Sequence, residues 1–593
     1  MKSEKKKYTI FNSLFTSLKI APFGTGCKLF LSILNSLLSP IQIIVVANFI
    51  DSSLQYINGA QNKNTIILNV VFICLMQIYG KLNGTILSLV NQKISDKFQT
   101  IIDPLMLEKQ AKLKYHHIEN HETWNLITRV ISRSGFQESL NNSFDLLQLI
   151  VQIVGVWLIL ASQIWWTTIV IVIISIPLMF VSIRSGRILY DMDKRVTMLT
   201  RFMNYYASIL TNREAAAERT IFGYTDKINE KFIQAHKERT NTNLKTITSR
   251  MLRTKISGLI LIIFGIFLMG ILLNDVSTGN ISVGMYISFI GTLMSILNGF
   301  SWRMGSILQN FSGLKEYYKE FNQFINLEEC EECTEMFSSD KQSKKLEFEY
   351  LEFINVSFKY PGTEKYVIKN LDLRLEKGNH YAVVGANGAG KTTIIKLITR
   401  LYDVEEGEIR LNGKDINLYK YNELLSLFGI VYQDFAKYYI TLKENLTFSN
   451  DDQNISEMIT QVGLDNVVNN WANGDKTLLG KIDPDGIDIS GGEWQKLAIA
   501  RALYNNPAFK ILDEPTASLS PTAESEIYRN FQNVTRNDTT LLITHRLGST
   551  KFVNEILVFD QGELVERGTH DYLMNKQGIY NTLFESQRKW YNE

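Results

Sequence analysis

Cysteine and proline are scarce in this sequence, and net charge is almost absent. The 593 residues include 4 Cys and 9 Pro, and the formal net charge is +2. Four cysteines are too few for a disulfide framework in a chain of this length, and the 36 glycines follow no collagen-like period. An aromatic content of 11% excludes a fully disordered chain. The near-zero charge gives no electrostatic reason to expect nucleic acid as a partner.

Charged residues are also missing from long stretches of the first half. Six apolar stretches contain Lys81 as their single charged residue. They are Leu29–Ile50, Ile66–Val90, Leu146–Ala161, Trp166–Ile183, Ile256–Leu273 and Val283–Phe300. A membrane-spanning helix needs about 20 apolar residues, so each stretch, extended a little at its ends, predicts one span. The alternative, a large soluble core, does not explain six segments without charge.

The basic residues between these stretches predict the orientation of the spans. Lysine and arginine are concentrated before the first span, between the second and third, and between the fourth and fifth. The other three loops hold Lys63 alone. Because basic loops remain in the cytosol, we expect a multi-pass protein of the bacterial cytoplasmic membrane, in contact with membrane lipid, with both termini in the cytosol.

The composition changes after the last span. From Leu346 onward, short β-rich runs alternate with helical ones, as in α/β proteins. We therefore predict a multidomain membrane protein with three parts. They are an all-α transmembrane domain of six helices with two long cytosolic extensions (1–327), a polar linker (328–345) and an α/β domain (346–593).

A glycine-rich loop follows the apolar run His380–Gly385. It reads Gly385-Ala-Asn-Gly-Ala-Gly-Lys391-Thr392, which is G-x-x-x-x-G-K-[ST] between a strand and a predicted helix, Thr393–Leu401. The glycines let backbone amides turn toward phosphate oxygens. Lys391 offers a positive charge, and Thr392 offers a hydroxyl to Mg²⁺. The loop therefore predicts that the α/β domain (346–593) is a P-loop ATPase domain with a site for ATP and Mg²⁺.

Two further motifs follow in the second half. The predicted strand Phe509–Leu512 ends in Asp513, suited to hold Mg²⁺, and in Glu514, suited to act as a general base on water. The run Ser490–Glu493 precedes a predicted helix, with Ser490 as its N-cap and two glycines that expose amides to an anion. Taken singly, an acidic strand end and a capped helix are ordinary structural features.

In this order and spacing, the motifs resemble the nucleotide-binding domain of ATP-binding cassette (ABC) transporters. With the six preceding spans, nearly the whole chain resembles a half-transporter of the exporter type. The resemblance implies an ATPase that drives alternating access as a dimer. The ATP-binding residues that it implies are Tyr360, Gly385, Ala386, Asn387, Gly388, Ala389, Gly390, Lys391, Thr392, Thr393, Ser490, Gly491, Gly492 and Glu493.

The same resemblance implies roles for single residues. Glu514, His545 and Gln433 would be catalytic, and Thr392, Gln433 and Asp513 would hold Mg²⁺. Tyr360 would stack on adenine. The Ser490–Gly492 run would close over the γ-phosphate bound to a second chain.

The resemblance also implies two coupling helices in the long cytosolic segments. They would lie around His117–Leu126 and Thr211–Glu218 and would dock on the nucleotide-binding domains.

Two positions depart from the family pattern. Glu493 stands where the signature run usually ends in Gln, and Ser520 stands where an Asp usually helps to link the two ATP sites. The serine is compatible with one half of a heterodimer, but Glu514 and His545 are both present. We therefore expect a homodimer, with a heterodimer as the alternative.

The cargo is predicted from subfamily likeness. The segments Tyr432–Tyr438, Leu442–Asn445 and Gly492–Lys496 are similar to those of exporters of lantibiotics and other ribosomal peptides without a peptidase domain. We expect a peptide cargo, and a separate leader protease or a peptide-modifying enzyme as a further partner. A multidrug or lipid exporter is the alternative. A more remote one is an ATP-gated channel or sensor, against which Glu514 argues.

Polar residues within the spans are candidates for a cargo path. They are Gln42, Gln77, Lys81 and Asn298. A charge inside the membrane marks function by default, but a lysine can also extend its ammonium group to the interface.

Two weaker signals for metal binding remain. Cys330 and Cys333 have C-x-x-C spacing, which is half of a zinc site. His116, His117 and His121 lie close together near a predicted coupling helix, where ordinary surface polarity is the alternative.

Overall fold

The computed structural model of the protein describes residues 7–59, 63–163, 195–196, 198–212, 215–330, 346–448, 455–514 and 538–592. The chain divides into two compact units. The first comprises Met1–Ala111 and Glu122–Leu327, and the second comprises Lys112–His121 and Glu328–Glu593. A short segment from the N-terminal half, Lys112–His121, therefore belongs to the second unit.

The described part of the first unit is helical. Apolar sequences favour this arrangement because a helix satisfies its own backbone hydrogen bonds where water is absent. The helices that precede residue 328 are α1 (Ile10–Ile20), α2 (Pro22–Ile57), α3 (Lys63–Ala111), α4 (Tyr115–Glu119), α5 (His121–Ile131), α6 (Gly135–Gln163), α7 (Ala216–Phe222), α8 (Thr225–Ser277) and α9 (Val283–Ile325). Residues 198–211 are helical as well.

Three stretches among the described residues are long and apolar enough to cross a membrane. They are Pro22–Ile57, Lys63–Ala111 and Gly135–Ile159. The first two contain the first two predicted spans, and the third overlaps the predicted span Leu146–Ala161 up to Ile159. In α3, none of the most apolar window is buried within the chain. An uncovered apolar surface of this length needs lipid or another protein against it.

The remaining predicted spans fall in different parts of the chain. Ile256–Leu273 lies within α8, and Val283–Phe300 lies within α9. Trp166–Ile183 lies outside the described residues.

Small residues allow close helix contacts in the first unit. A Cβ atom at Gly155 would lie 2.6 Å from Cγ of Pro40, and one at Gly135 would lie 2.1 Å from the Tyr317 ring. Membrane helices commonly approach each other at such positions.

Two sheets form the frame of the second unit. One is antiparallel, in the order β2-β1-β4-β5, and the other has the order β10-β9-β3-β8-β7-β6. The strands are β1 (Tyr350–Phe358), β2 (Ile368–Glu376), β3 (His380–Gly385), β4 (Glu406–Leu411), β5 (Lys414–Asp415), β6 (Phe428–Val431), β7 (Phe509–Asp513), β8 (Thr539–Ile543), β9 (Glu555–Asp560) and β10 (Glu563–Gly568).

The parallel strands of the second sheet position the predicted ATP-binding residues. Strand β8 lies between β3 and β7 and is parallel to both. Strands β7 and β8 are buried at every position, which explains their continuous apolar sequences. The carboxyl ends of β3, β7 and β8 therefore meet at one edge of the sheet, where ligands bind in α/β proteins.

Helices complete the second unit. They are α10 (Lys391–Ile398), α11 (Tyr421–Ser426), α12 (Leu442–Thr447), α13 (Ile455–Gln461), α14 (Asp465–Val468), α15 (Gly491–Leu503), α16 (His570–Lys576) and α17 (Ile579–Asn592). Phe353, Phe509 and Phe559 lie in a continuous apolar core with Ile394 and Leu397 of α10. A helical unit and an α/β unit confirm the predicted fold class.

Candidate active site

The glycine-rich loop joins β3 to α10 at the edge where the parallel strands end. Gly388 and Gly390 have φ angles of +79° and +96°, in the left-handed region. A Cβ atom at Gly390 would also lie 2.8 Å from the carbonyl oxygen of Val367. Glycine is required there for both reasons. Gly390 is the N-cap of α10, so the free amides of the first helical turn face the loop and favour an anion.

Lys391 lies at the centre of this loop. It is buried, and Nζ donates hydrogen bonds to the carbonyl oxygens of Gly385 (2.9 Å) and Ala386 (3.0 Å). Burial lowers the pKa of Lys391, against the opposing effect of the Glu514 and Asp513 carboxylates. A phosphate is a stronger acceptor for an ammonium group than a backbone carbonyl, so the loop holds a positive charge ready for one.

The other loop residues are arranged around Lys391. Ala386, Asn387 and Gly388 form an exposed tip, whereas Ala389 is buried. Thr393 is buried too, and its Oγ1 lies 3.0 Å from the hydroxyl of Tyr360. The Thr393 side chain thus holds Tyr360 in place.

Asp513 ends β7 beside the loop. It is 2% exposed, and its Oδ1 has no hydrogen-bond partner among the described residues. Burial raises the pKa of Asp513 to about 6, against the effect of a hydrogen bond with Thr392. A buried carboxylate oxygen without a partner, next to a hydroxyl, fits the oxygen ligands that Mg²⁺ prefers. Thr392 and Asp513 are therefore suited to hold that ion.

Glu514 and His545 form a pair at the ends of two neighbouring strands. Glu514 follows β7, His545 follows β8, and Nε2 of the histidine lies 2.7 Å from Oε1 of the glutamate. Burial and then the Lys391 charge lower the pKa of His545, which favours a neutral ring that donates from Nε2. Glu514 has a φ of +46°. This conformation is costly for a residue with a side chain, and such strain is concentrated at functional sites.

Tyr360 lies at the border of the loop in an aromatic cluster. Its ring makes edge contacts with Phe358 (5.1 Å between ring centroids) and Tyr402 (5.3 Å). Nζ of Lys396, on α10, lies 5.1 Å from the centroid of the Tyr360 ring. The cluster fixes the orientation of a half-buried aromatic ring next to the phosphate loop.

The signature run begins α15. Ser490 is the N-cap, and its side chain accepts a hydrogen bond from the amide of Glu493 at 3.3 Å. The Glu493 carboxylate in turn accepts from the amide of Ser490 at 2.6 Å. This reciprocal capping box explains the departure at position 493, since Glu and Gln both fit its last position. Gly491 is exposed, so the start of the helix is open to a ligand.

Gln433 lies in the loop that follows β6, and it is exposed. Arg501 of α15 holds this loop, donating to the carbonyl oxygen of Ala436 at 2.7 Å and to the side chain of Asn445. Its guanidinium also lies 4.8 Å from the centroid of the Tyr438 ring. The sequence does not single out Arg501, because nothing local distinguishes it from other helical arginines.

The segment Lys112–His121 contacts the nucleotide side of the second unit. Oε1 of Glu119 lies 2.6 Å from Nζ of Lys396, and its carboxylate also accepts from the hydroxyl of Tyr402. Tyr115 makes an edge contact with Tyr402 at 5.8 Å. The helix of this segment therefore meets the aromatic cluster around Tyr360.

The described residues of the two predicted coupling helices are divided between the two compact units. In the first, around His117–Leu126, only the residues up to His121 belong to the second unit. In the second, residues 213 and 214 lie outside the described residues, and Ala216–Glu218 begin α7 in the first unit.

The predicted cargo-path residues lie in the first unit. Gln42, Gln77 and Lys81 are exposed on α2 and α3. Asn298 lies on α9, and its side chain lies outside the described residues. The first unit also contains a buried cation that no sequence pattern singles out. It is Lys28, which is 3% exposed and hydrogen-bonded to Asn141.

Comparison with known proteins extends these observations. The ABC transporter family model matches residues 368–517. The subtilin transport ATP-binding protein of Bacillus subtilis is 27% identical over 99% of this chain and 94% of its own length. The nisin transport ATP-binding protein of Lactococcus lactis is 26% identical over 90% and 89%. An ATP-dependent lipid A-core flippase of Yersinia pestis is 27% identical over 89% and 90%.

A solved structure gives the same result for the fold. It is a bacterial Atm1-family ABC exporter with ATP bound, and it matches with a TM-score of 0.75 at 22% identity, over 95% of this chain and 99% of its own. The likeness covers the helical and the α/β parts together. With the phosphate loop and the paired Glu514 and His545, these findings confirm the predicted resemblance to ABC exporters, the exporter fold and an ATPase domain that binds ATP.

Proposed function

We propose that this exporter moves a ribosomally made, lantibiotic-like peptide out across the cytoplasmic membrane. The observation that supports this most is the likeness to the subtilin and nisin transport proteins, which extends through the membrane helices as well as the ATPase domain. The tyrosine-rich loop that Arg501 holds supports it as well. The comparable likeness to a lipid A-core flippase makes lipid the second candidate cargo.

Within this function, the residues of the active site have separate tasks. Lys391 and the amides of its loop bind the β- and γ-phosphates, and Thr392, Asp513 and Gln433 hold Mg²⁺. The ion neutralises phosphate charge when it is bound. Glu514 accepts the proton of the attacking water. His545 positions Glu514 and contacts the γ-phosphate. Tyr360 stacks on adenine.

We propose that the working form is a dimer, most simply a homodimer. One ATPase domain contains two structures suited to an anion, the phosphate loop and the open start of α15. A single nucleotide uses the first. The second, at Ser490–Gly492, is then available to the nucleotide of the other chain. The uncovered apolar surface of α3 also requires lipid or a second chain.

The proposed domain limits are a transmembrane domain over 1–327, a linker over 328–345 and a nucleotide-binding domain over 346–593. Both termini and the nucleotide-binding domain lie in the cytosol in this proposal. The segment Lys112–His121 is joined to α3 and α5 by the chain and contacts Lys396 and Tyr402 next to Tyr360. It therefore provides a direct path from the nucleotide to the membrane helices, for the alternating access that ATP binding drives.

The test is ATP hydrolysis by the purified protein in lipid discs. The discs are titrated with leader-bearing nisin precursor, mature nisin, a cationic dye and lipid A, each also against a Glu514→Gln variant. We expect a peptide to stimulate hydrolysis by the native protein only, and the two peptide forms show whether the leader is present on the cargo. Stimulation by lipid A without a peptide response would favour the lipid exporter, and stimulation by the dye alone would favour a multidrug exporter.

A further inference from the structure

Two histidines and a glutamate come together in the second unit, and none of the three belongs to the predicted ATP site. One ligand atom of each of His116, His117 and Glu328 lies within 4.8 Å of the others. His116 and His117 are on α4, whereas Glu328 is more than 200 positions later in the chain. We propose that these three residues form a site for a divalent transition metal ion, with Zn²⁺ as the ion that fits best.

Backbone pairing builds this cluster. The amide of Lys114 donates to the carbonyl oxygen of Glu328 at 3.1 Å, and the amide of Cys330 donates to that of Lys112 at 2.8 Å. Leu113 and Glu329 form an antiparallel bridge between these two bonds. The start of the predicted linker is thus paired with the residues that precede α4, and this pairing sets Glu328 beside the histidines.

The histidine rings point to a common place. Adjacent residues on a helix do not face each other, yet the ring centroids of His116 and His117 are 3.9 Å apart with 45° between the planes. Both side chains are partly buried. Two neighbouring imidazoles turned to the same side are thereby arranged as a pair of donors.

The donor set determines which ion fits. Two imidazole nitrogens and one carboxylate oxygen are a known set of three protein ligands for Zn²⁺, with water in the fourth position. Mg²⁺ and Ca²⁺ prefer oxygen ligands throughout. Around a tetrahedral zinc ion, ligand atoms are about 3.3 Å apart, so the three groups must move closer. The Glu328 side chain is 66% exposed, which leaves space for this movement.

The ammonium group of Lys114 competes with a metal ion for the Glu328 carboxylate. Nζ of Lys114 lies 3.2 Å from Oε2 of Glu328, and the Lys114 side chain is 44% exposed. An exposed ion pair of this kind contributes little free energy, and the lysine can turn into solvent. A bound ion would take over the contact and tie α4 to the start of the linker. Zinc would thereby stabilise the docked position of Lys112–His121.

The experiment uses the full-length protein in lipid discs, purified with a histidine-free tag, without nucleotide, after treatment with a chelator. Zn²⁺ binding is measured by equilibrium dialysis, and Co²⁺ serves as a spectroscopic probe. We expect one Zn²⁺ per chain. The variants His116→Asn, His117→Asn and Glu328→Gln should each weaken Zn²⁺ binding by more than about 10-fold. Loss of a residue that only hydrogen-bonds to a metal ligand already weakens metal binding by about 10–100-fold, and a direct ligand should matter at least as much.

Two control variants separate ligation from general damage. His121→Asn removes a histidine of the same segment that is not in the cluster, and Lys114→Gln removes the competing cation. Both should bind zinc at least as tightly as the native protein, and thermal unfolding checks that every variant is folded. Equal binding by native protein and ligand variants, or loss of binding in His121→Asn, would overturn the proposal. A sulfur-to-cobalt charge-transfer band would show a cysteine ligand and would overturn the donor set.

Discussion

The ion pair between Glu119 and Lys396 gives a quantitative prediction about how the segment Lys112–His121 is held. The Lys396 side chain is 13% exposed and that of Glu119 is 41% exposed. A hydrogen bond to a charged group is worth about 1.5–3 kcal/mol when buried, and an exposed ion pair about 0.2–1 kcal/mol. This pair is half-exposed, and Tyr402 is a second donor to Glu119. We therefore expect Glu119→Ala to lower the free energy that holds the segment in place by about 1–2 kcal/mol, which raises its opening equilibrium constant by about 5–30-fold.

Amide hydrogen exchange followed by mass spectrometry measures that opening directly. Peptides that cover residues 112–121 should exchange about 5–30-fold faster in Glu119→Ala, while β3, β7 and β8 exchange as before. Glu364→Ala, at an exposed carboxylate before β2, is the matched control and should leave both regions unchanged. Unaltered exchange in 112–121, or equally faster exchange throughout the sheet, would refute the reasoning.

The same pair has a pH dependence with a definite sign. Burial raises the pKa of Glu119, but the hydrogen bonds from Lys396 and Tyr402 outweigh it, so the pKa of Glu119 is lowered in the folded protein. A lowered carboxyl pKa stabilises the fold above the unfolded value of about 4.3, and this contribution is lost as the pH falls through the folded value. The difference between native protein and Glu119→Ala should therefore be constant near neutral pH and shrink in acid.

Substitutions at three positions test the ATP site. Glu514→Gln should reduce ATP turnover by about 10²–10⁴-fold and leave nucleotide affinity intact; turnover close to native would remove Glu514 from its proposed role. Lys391→Ala should weaken ATP binding by about 10-fold or more, because a charge-assisted contact is worth about 1.5–3 kcal/mol, and a titration with native affinity would contradict the proposed contact. Glu493→Ala should lower the free energy of unfolding by about 1 kcal/mol through loss of the capping box. The free energy of unfolding of Glu493→Gln should stay within about 0.5 kcal/mol of the native value. Denaturant unfolding distinguishes the two variants, and equal losses would argue against the cap.

The sequence predicts local features of the ATPase domain well. The strand His380–Gly385 has the predicted bounds, because a strand buried on both faces in a parallel sheet is a continuous apolar run. The helix that follows differs. The sequence predicts this helix over Thr393–Leu401, whereas the helix extends over Lys391–Ile398. It ends early because Arg400, with a φ of +53°, is in the left-handed region. Apolar periodicity continues to Leu401 and does not reveal a left-handed residue.

Contacts between distant parts of the chain are what the sequence does not show. Glu119 and Lys396 are 277 positions apart, and neither belongs to a motif. The pairing of Lys112–Lys114 with Glu328–Cys330 is equally hidden. It places Glu328, which no local sequence signal distinguishes, beside two residues of the predicted histidine cluster, and the three together form one candidate metal site. The capping role of Glu493 also appears only once the start of α15 is in place.

Peptide uptake into proteoliposomes tests the central proposal most directly. Native protein and Glu514→Gln are reconstituted into the vesicles, and ATP is added outside. Only molecules whose ATPase domain faces outward can use this ATP, and they should move cargo into the vesicle. The entry of labelled nisin precursor and of labelled mature nisin is then followed. The account predicts ATP-dependent accumulation of a peptide by the native protein and none by Glu514→Gln. ATP hydrolysis without accumulation of either peptide, or accumulation that continues with a non-hydrolysable ATP analogue, would contradict it.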